Sequence, residues 1–198
     1  MITMEATVAG VNLSLKVGVE DRELQVSLER LQLMGGNLRS FWQSVGEYML
    51  RATDERFTAQ KDPAGKDWPQ LNARYRRRKK GPKILTERHR LRRSIAYRAS
   101  ELELLVGTNV VYGAIHQLGG EIEHEERSQV LAFKKKGGFM SRRSARRSKG
   151  PVRVAFATIG AHKTTIAPRP FLGASTQDRA HILELLRDHI ARATASAG

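Results

Sequence analysis

Residues 37–60, NLRSFWQSVGEYMLRATDERFTAQ, constrain this chain more than any other stretch. Leu38, Phe41, Val45, Tyr48, Met49 and Ala52 recur three and four apart, which puts them on one side of a helix. An apolar stripe of that length has to be covered, so the remaining elements must pack against it. Asn37 is placed to cap the helix. KDPAGKDWP (61–69) ends it, with two prolines and a glycine around Trp68.

The candidates for covering it are short. NLSLKVGV (12–19) alternates apolar and polar residues as a half-buried strand does. Asp21 precedes an amphipathic segment, RELQVSLERLQ (22–32), with Leu24, Leu28 and Leu31 on one face and MGG (34–36) at its end. LNARYRRRKK (71–80) is helical in pattern but self-repelling, and GPK (81–83) stops it. SIAYRAS (94–100) and ELELLVGT (101–108) read as a hairpin-like pair of strands, and VVYGAIHQLG (110–119) as a short helix ended by a double glycine. Residues 121–150 are polar and charged apart from VLAF (130–133), and read as a loop or an extended hairpin with a flexible tip. PVRVAFATI (151–159) is a strand, and the prolines of TIAPRPFLG (165–173) keep it extended. Ser175 and Asp178 begin a C-terminal helix as a capping-box pair, with Ile182, Leu183, Leu185, Leu186 and Ile190 as its apolar face. The expected fold is α+β: a small, mostly antiparallel sheet packed against two or three helices, with a protruding basic loop or hairpin. One domain is expected over 1–198, with 121–150 as a basic flexible insertion within it.

Charge is the strongest bulk signal. The net charge is +15 and the pI about 10.7, and the cations are localised. Arg74 to Arg98 (RYRRRKKGPKILTERHRLRRSIAYR) contains Glu87 as its one acid, Lys134 to Lys149 (KKKGGFMSRRSARRSK) contains none, and the two hold more than half of the 35 Lys and Arg. They imply an anionic partner or neighbouring surface. The residues expected to face it are Arg76, Arg77, Arg78, Lys79 and Lys80 in the first stretch, and Lys134, Lys135, Lys136, Arg142, Arg143, Arg146 and Arg147 in the second. No apolar run approaches the ~20 residues that span a bilayer, so no membrane partner is expected. The start MITMEATVAG lacks the pattern of a signal peptide. With no cysteine there is no disulfide framework, and cytosolic synthesis is expected.

The stretch YGAIHQLGG (112–120) raises the question of catalysis, because a histidine among apolar residues is often a ligand or a base. His116 and His124 flank Glu121, Glu123 and Glu125, but the spacing fits no metal pattern such as HExxH, and the segment reads as an acidic turn. There is no GxSxG, Walker loop or GxGxxG. No catalytic residue, metal ligand or cofactor is assigned. Two classes remain: a small basic DNA-binding protein, and a non-enzymatic subunit that docks on copies of itself and on neighbours. Few aromatics accompany the basic runs (Tyr75, Tyr97, Phe133, Phe139), and no nucleic-acid reading module is present.

Four segments in order favour the second class. DPAGKDWPQL (62–71), ILTERHRLRRSI (84–95), VGTNVVYGAIHQLGG (106–120) and IAPRPFLGAS (166–175) resemble the ordered motifs of the phage virion morphogenesis family, the Mu G-like and tail-completion proteins. The resemblance runs from about Leu38 to the C-terminus. It rests on Trp68, Tyr112, His116, Gln117, Gly119, Gly120, Pro168, Arg169, Pro170 and Phe171 as structural motif residues. His89 departs from the family's usual glycine and Gly113 from its usual alanine, while 134–150 lies outside the shared pattern. The resemblance implies a virion structural protein at the head–tail junction or tail end, present in the host cytoplasm during assembly. It implies a homo-oligomeric ring, commonly hexameric, that caps the tail as terminator or completion protein, with the tail tube and neck or connector proteins as partners. A head or neck assembly factor, or a DNA-contacting protein, is the alternative. In this setting His116 is expected to orient a turn by hydrogen bonds from both ring nitrogens. Tyr112, Ile115 and Leu118 are expected on the core side, and Arg169 is expected to be held outward between its prolines for an ion pair across a subunit boundary.

Overall fold

The computed structural model describes residues 2–9, 12–19, 26, 38–101, 103–134, 139–140 and 152–195. The segment 22–32, the MGG turn and Asn37 lie outside these, apart from Val26. So do Lys135, Lys136, Arg142, Arg143, Arg146 and Arg147, and with them the expected flexible tip. The chain divides into two compact units, residues 1–119 with 167–198, and residues 120–166.

The first unit has the expected α+β architecture. Its sheet runs in the order β1-β2-β4-β3, all antiparallel, from β1 (Ile2–Ala9), β2 (Asn12–Val19), β3 (Ala96–Ala99) and β4 (Leu104–Thr108). The alternation in 12–19 and the hairpin-like pair over 94–108 correspond to β2 and β3–β4, while β1, which alternates in the same way (Ile2, Met4, Ala6 and Val8 against Thr3, Glu5 and Thr7), is a strand that sequence reasoning passed over. Helix α1 (Arg39–Ala59) crosses β3 and β4 and packs against the C-terminal α5 (Thr176–Ala195). Between them in sequence lie α2 (Ala73–Arg78), α3 (Arg90–Arg93) and α4 (Gly113–Leu118).

The stripe on α1 is the centre of the core. Leu38, Phe41, Val45, Met49 and Ala52 are buried, and Tyr48 is half-buried. Trp42, Thr53, Arg56 and Phe57 widen the buried face, which also covers Leu104 and Val106 of β4 and Ile182 and Leu186 of α5. Fully burying a side chain of this size stabilises by about 1.5–3 kcal/mol, so this face outweighs the helix propensity of its residues. The helix meets β3 closely at Gly46, where a Cβ would lie 2.4 Å from the Tyr97 ring. Leu38 precedes the helix without a side-chain cap. At the other end Gln60 turns left-handed (φ 62°), and its side chain donates to the carbonyls of Phe57 and Ile84 and accepts from the Ile84 amide.

The second unit is a ribbon. Strand β5 (Gly120–His124) pairs antiparallel with β9 (His162–Ile166), and β6 (Arg127–Lys134) with β8 (Val152–Ile159). The offset is the same in both ladders, since Gly120 faces Ile166, His124 faces His162, Arg127 faces Ile159 and Lys134 faces Val152. No residue is gained or lost across the gap between them, so the two ladders form one continuous two-stranded path. At about 3.3 Å per residue it is roughly 50 Å long. A short β7 (Phe139–Met140) adds to the far side of β6. The described side chains of β5 and β9 are mostly exposed, and Phe156 on β8 is 85% exposed. The described residues of 121–150 therefore lie mostly in paired strands, in line with the second of the two forms expected for the region.

Just before α3, His89 occupies the left-handed region (φ 54°, ψ 9°), where the related motif carries glycine. The turn keeps the geometry that glycine favours, and histidine bears the steric cost. His89→Gly is therefore expected to stabilise the chain by about 1 kcal/mol, read as a rise of about 2–4 °C in Tm. A fall in Tm would mean that the imidazole makes a compensating contact.

Candidate functional site

Three of the four sequence motifs meet in the first unit. The WP turn after α1, the HQ pair of α4 and the PRPFLG segment before α5 are joined by hydrogen bonds that replace a β ladder. The segment 167–170 has no strand partner, so its backbone groups need partners from elsewhere. The side chains supply them.

Gln117 is the central tie. Its Oε1 accepts from the amides of Phe171 (2.9 Å) and Leu172 (3.0 Å), and its Nε2 donates to the Leu172 carbonyl (2.8 Å). Trp68 Nε1 donates to the Pro170 carbonyl at 2.8 Å, and its ring meets Phe57 edge-on. Arg169 is 6% exposed, and its guanidinium donates to the carbonyls of Pro69 (2.9 Å), Ala167 (3.3 Å) and Gln70 (3.4 Å). Its amide donates to the His116 carbonyl at 2.7 Å. Pro168 and Pro170 hold this segment extended, and Phe171 fills the core against Phe57.

An ion pair lies behind this junction. Arg56 on α1 donates to Asp178 on α5 and to the carbonyls of Phe171 (3.2 Å) and Gly173 (2.7 Å). Asp178 also accepts from the Tyr48 hydroxyl (2.7 Å) and from the Ser175 amide (2.7 Å), while its own amide donates to Ser175 Oγ (3.0 Å). The capping box expected at Ser175 and Asp178 is thus present, and it carries the ion pair as well. Burial pushes the Asp178 carboxyl up, but the Ser175 amide, the hydroxyls of Tyr48 and Ser175, and Arg56 hold it below its ordinary value. Burial and the bond to Asp178 push Tyr48 up to about 12, so its hydroxyl remains a donor.

Several expectations for individual residues need correction. His116 does not orient the turn through both ring nitrogens: its Nδ1 is buried without a hydrogen-bond partner. The neighbouring Gln117 and the His116 backbone carbonyl tie the segment instead. Tyr112 and Leu118 are not on the core side, being 39% and 59% exposed, and Ile115 is only half-buried; in a helix of six residues the face towards the core is taken by Gly113 and Gln117. Gly113 is the residue that fits, because a Cβ there would lie 2.8 Å from Thr108 Cγ2. Arg169 is not held outward, since backbone carbonyls of its own chain take up its donors. Gly119 (φ 75°) and Gly120 (φ 146°) do take backbone paths barred to other residues.

The remaining candidates are on the surface. Arg76, Arg77, Arg78 and Lys80 are exposed on and after α2, while Lys79 is half-buried with its ammonium on the carbonyls of Lys80 and Gly81. In the ribbon His124 stacks on His162 at 4.7 Å, and Glu121 and Glu123 pair with Lys163 at 3.9 and 2.7 Å. Among the described residues no three His, Asp or Glu side chains stand together as a metal-binding group. Sequence reasoning passed over Arg56 and Gln60. Arg56 was detectable as a lone cation continuing an apolar helical face, a position that requires a buried partner.

Trp68, Gln117, Arg169 and Phe171 are thus ties that hold the three segments to one another. A family model of phage virion morphogenesis proteins matches residues 19–191. The chain belongs to that family. The match begins earlier than the resemblance read from Leu38 onward, and takes in the end of β2. No curated protein and no solved structure matches. Family membership gives the chain a role in phage assembly and structure and associates it with the virion. Among the described residues no helix is long and apolar enough to cross a membrane.

Gln117→Ala would leave two amides and a carbonyl unpaired in the interior and is expected to cost about 3 kcal/mol; Gln117→Glu keeps an acceptor for the amides and should lose less. Urea unfolding checks both, and a loss below about 1 kcal/mol for the alanine variant would remove Gln117 from its central place. The junction also sets an acid limit. Burial and then Arg169 lower His116 below its ordinary 6.5, and burial and then Arg192 lower His189 likewise. The unfolded chain therefore binds more protons, and stability is full above pH 6.5 and falls as the pH drops through that value. A second loss follows below 3.8 as Asp178 protonates. Melts across pH should show both phases, with the upper one flattened in a His116→Gln, His189→Gln variant.

Proposed function

We propose that the protein is a tail-completion or tail-terminator subunit, a non-enzymatic ring former, hexameric by family analogy, that closes the phage tail and lets it join the head. The observation that carries this reading is the ribbon. β5 and β9 pair as two strands with their side chains mostly in solvent, and a two-stranded stretch of that kind alone is marginally stable in water. A subunit that inserts it among neighbours has a use for it. The chain leaves the first unit at Gly119 and re-enters it at Ala167, next in sequence to the junction of Gln117, Arg169 and Trp68. The tail tube and neck proteins are the partners, and the free subunit works in the host cytoplasm before joining the virion.

A second reading has an observation of its own. Arg74, Arg76, Arg77 and Arg78 are exposed on α2, and no ion pair engages them among the described residues. A face of that kind suits an anionic neighbour, either an acidic neck protein or DNA passing by.

Removing the gene from its parent phage and imaging the lysate separates these readings. Filled heads beside free tails of irregular length are expected for a terminator. Free tails of regular length would make it a neck or completion factor, and aberrant heads a capsid assembly factor. Normal joined particles would overturn the tail role.

A further inference from the structure

Several large apolar side chains of the described residues stand in solvent, Val26 and Tyr75 among them. In the first unit Val111 (71% exposed), Tyr112 and Leu118 fall on and beside α4. In the ribbon the most exposed is Phe156, with Ile122 on the strand that enters it. Phe156 and Ile122 share a face, because side chains alternate along a strand, the register is continuous, and Phe156 lies opposite the even-numbered Val130. One chain thus carries two separate apolar features, one on a compact body and one on an extended ribbon.

We propose that the ribbon of one copy docks on a second copy, with Phe156 seated against Val111, Tyr112 and Leu118 of that copy. The contact is heterologous, since it joins two different surfaces, and repeating it closes a ring when the rotation permits. The proposal rests on the ring-forming reading above and names the surfaces that reading requires.

The area is enough for a second copy to be the occupant. A ribbon of roughly 50 Å by 10 Å offers about 500 Å² on each face, so covering both faces and an edge exceeds the ~800 Å² that one partner contributes to a standard interface. The complementary patch needed to seat its anchor is present on the same chain. Charge adds a sign that separates the alternatives. Two chains of +15 repel, so an apolar contact between copies tightens as salt screens them, whereas docking on DNA or an acidic protein weakens.

The absence of cysteine from the chain makes the test clean. Single-cysteine variants Phe156→Cys and Leu118→Cys are mixed and oxidised, so that any bond between the two variants is intermolecular. A mixed disulfide dimer is expected, at far higher yield than with Arg51→Cys in place of Leu118→Cys. In sedimentation equilibrium, self-association is expected to strengthen with salt and to weaken about thirtyfold in Phe156→Ser and in Leu118→Asp. Both sites are exposed, so circular dichroism should show the variants folded. A wild-type chain that stays monomeric up to its solubility limit overturns the proposal, as does self-association that Phe156→Ser leaves unchanged. Binding lost with salt would transfer the ribbon to an anionic partner and overturn the proposal as well. If the gene deletion disturbs tails while the cross-link fails, only this contact falls; if the cross-link forms while particles are normal, the contact stands without the tail role.

Discussion

The pairing of Arg56 with Asp178 is the constraint on which the rest of the first unit depends. Both side chains are 8% exposed, and an ion taken that far out of water is tolerated only when its remaining donors and acceptors are satisfied. Satisfying them fixes the neighbourhood. The other donors of Arg56 require the carbonyls of Phe171 and Gly173, which places the PRPFLG segment over α1. The remaining acceptor positions of Asp178 require Tyr48 and the first turn of α5, which sets that helix against α1 along the Ile182–Leu186 face. Such a pair adds little net stability over a well-packed apolar pair of the same size, but removing either partner strands a buried charge at a cost of about 3–5 kcal/mol. Its effect is therefore to select one arrangement of three segments from many of similar apolar content.

The junction of the motifs extends the same logic outward. Gln117, Trp68 and Arg169 each answer backbone groups of an extended, proline-bearing stretch that has no strand beside it. Gln117 ties this stretch from a helix and Trp68 from the turn after α1, while Arg169 reaches out of it to the carbonyls of Pro69 and Gln70, so helix, turn and extended segment hold one another. A segment fixed in this way suits a protein whose work is to hold a shape. The family's role in virion assembly agrees with a site of structural bonds, in which His116 has no partner on its buried ring nitrogen and Arg169 makes no ion pair among the described residues.

The two units differ in what stabilises them. The first is a layered body whose apolar stripe is covered from several sides. The second is a ladder of backbone hydrogen bonds, with a few cross-strand contacts such as the stack of His124 on His162 and the pairing of Lys163 with Glu123. Contacts of that size tune a ribbon, and the register is held by the ladder itself. The basic stretches fall one within the residues of each unit.

What the sequence determined by itself was everything that depends on local order. The three-and-four spacing from Leu38 to Ala52 specified the central helix, the alternation in NLSLKVGV a strand, Ser175 and Asp178 the start of the last helix, and four ordered motifs the family. The form of the 121–150 region was narrowed to two choices. Only the tertiary structure decided which side chains answer which backbone groups. Gln117 and His116 are adjacent in sequence, and both are polar residues in the same short helix; the one facing inward was settled by Phe171 and Leu172, more than fifty residues away. Arg169 reads as exposed because prolines flank it, and Pro69 and Gln70, about a hundred residues distant, bring it inside. Apolar periodicity is a property of neighbours along the chain and can be read there. The partner of a buried polar atom is a property of neighbours in space, and exists only once the chain has folded.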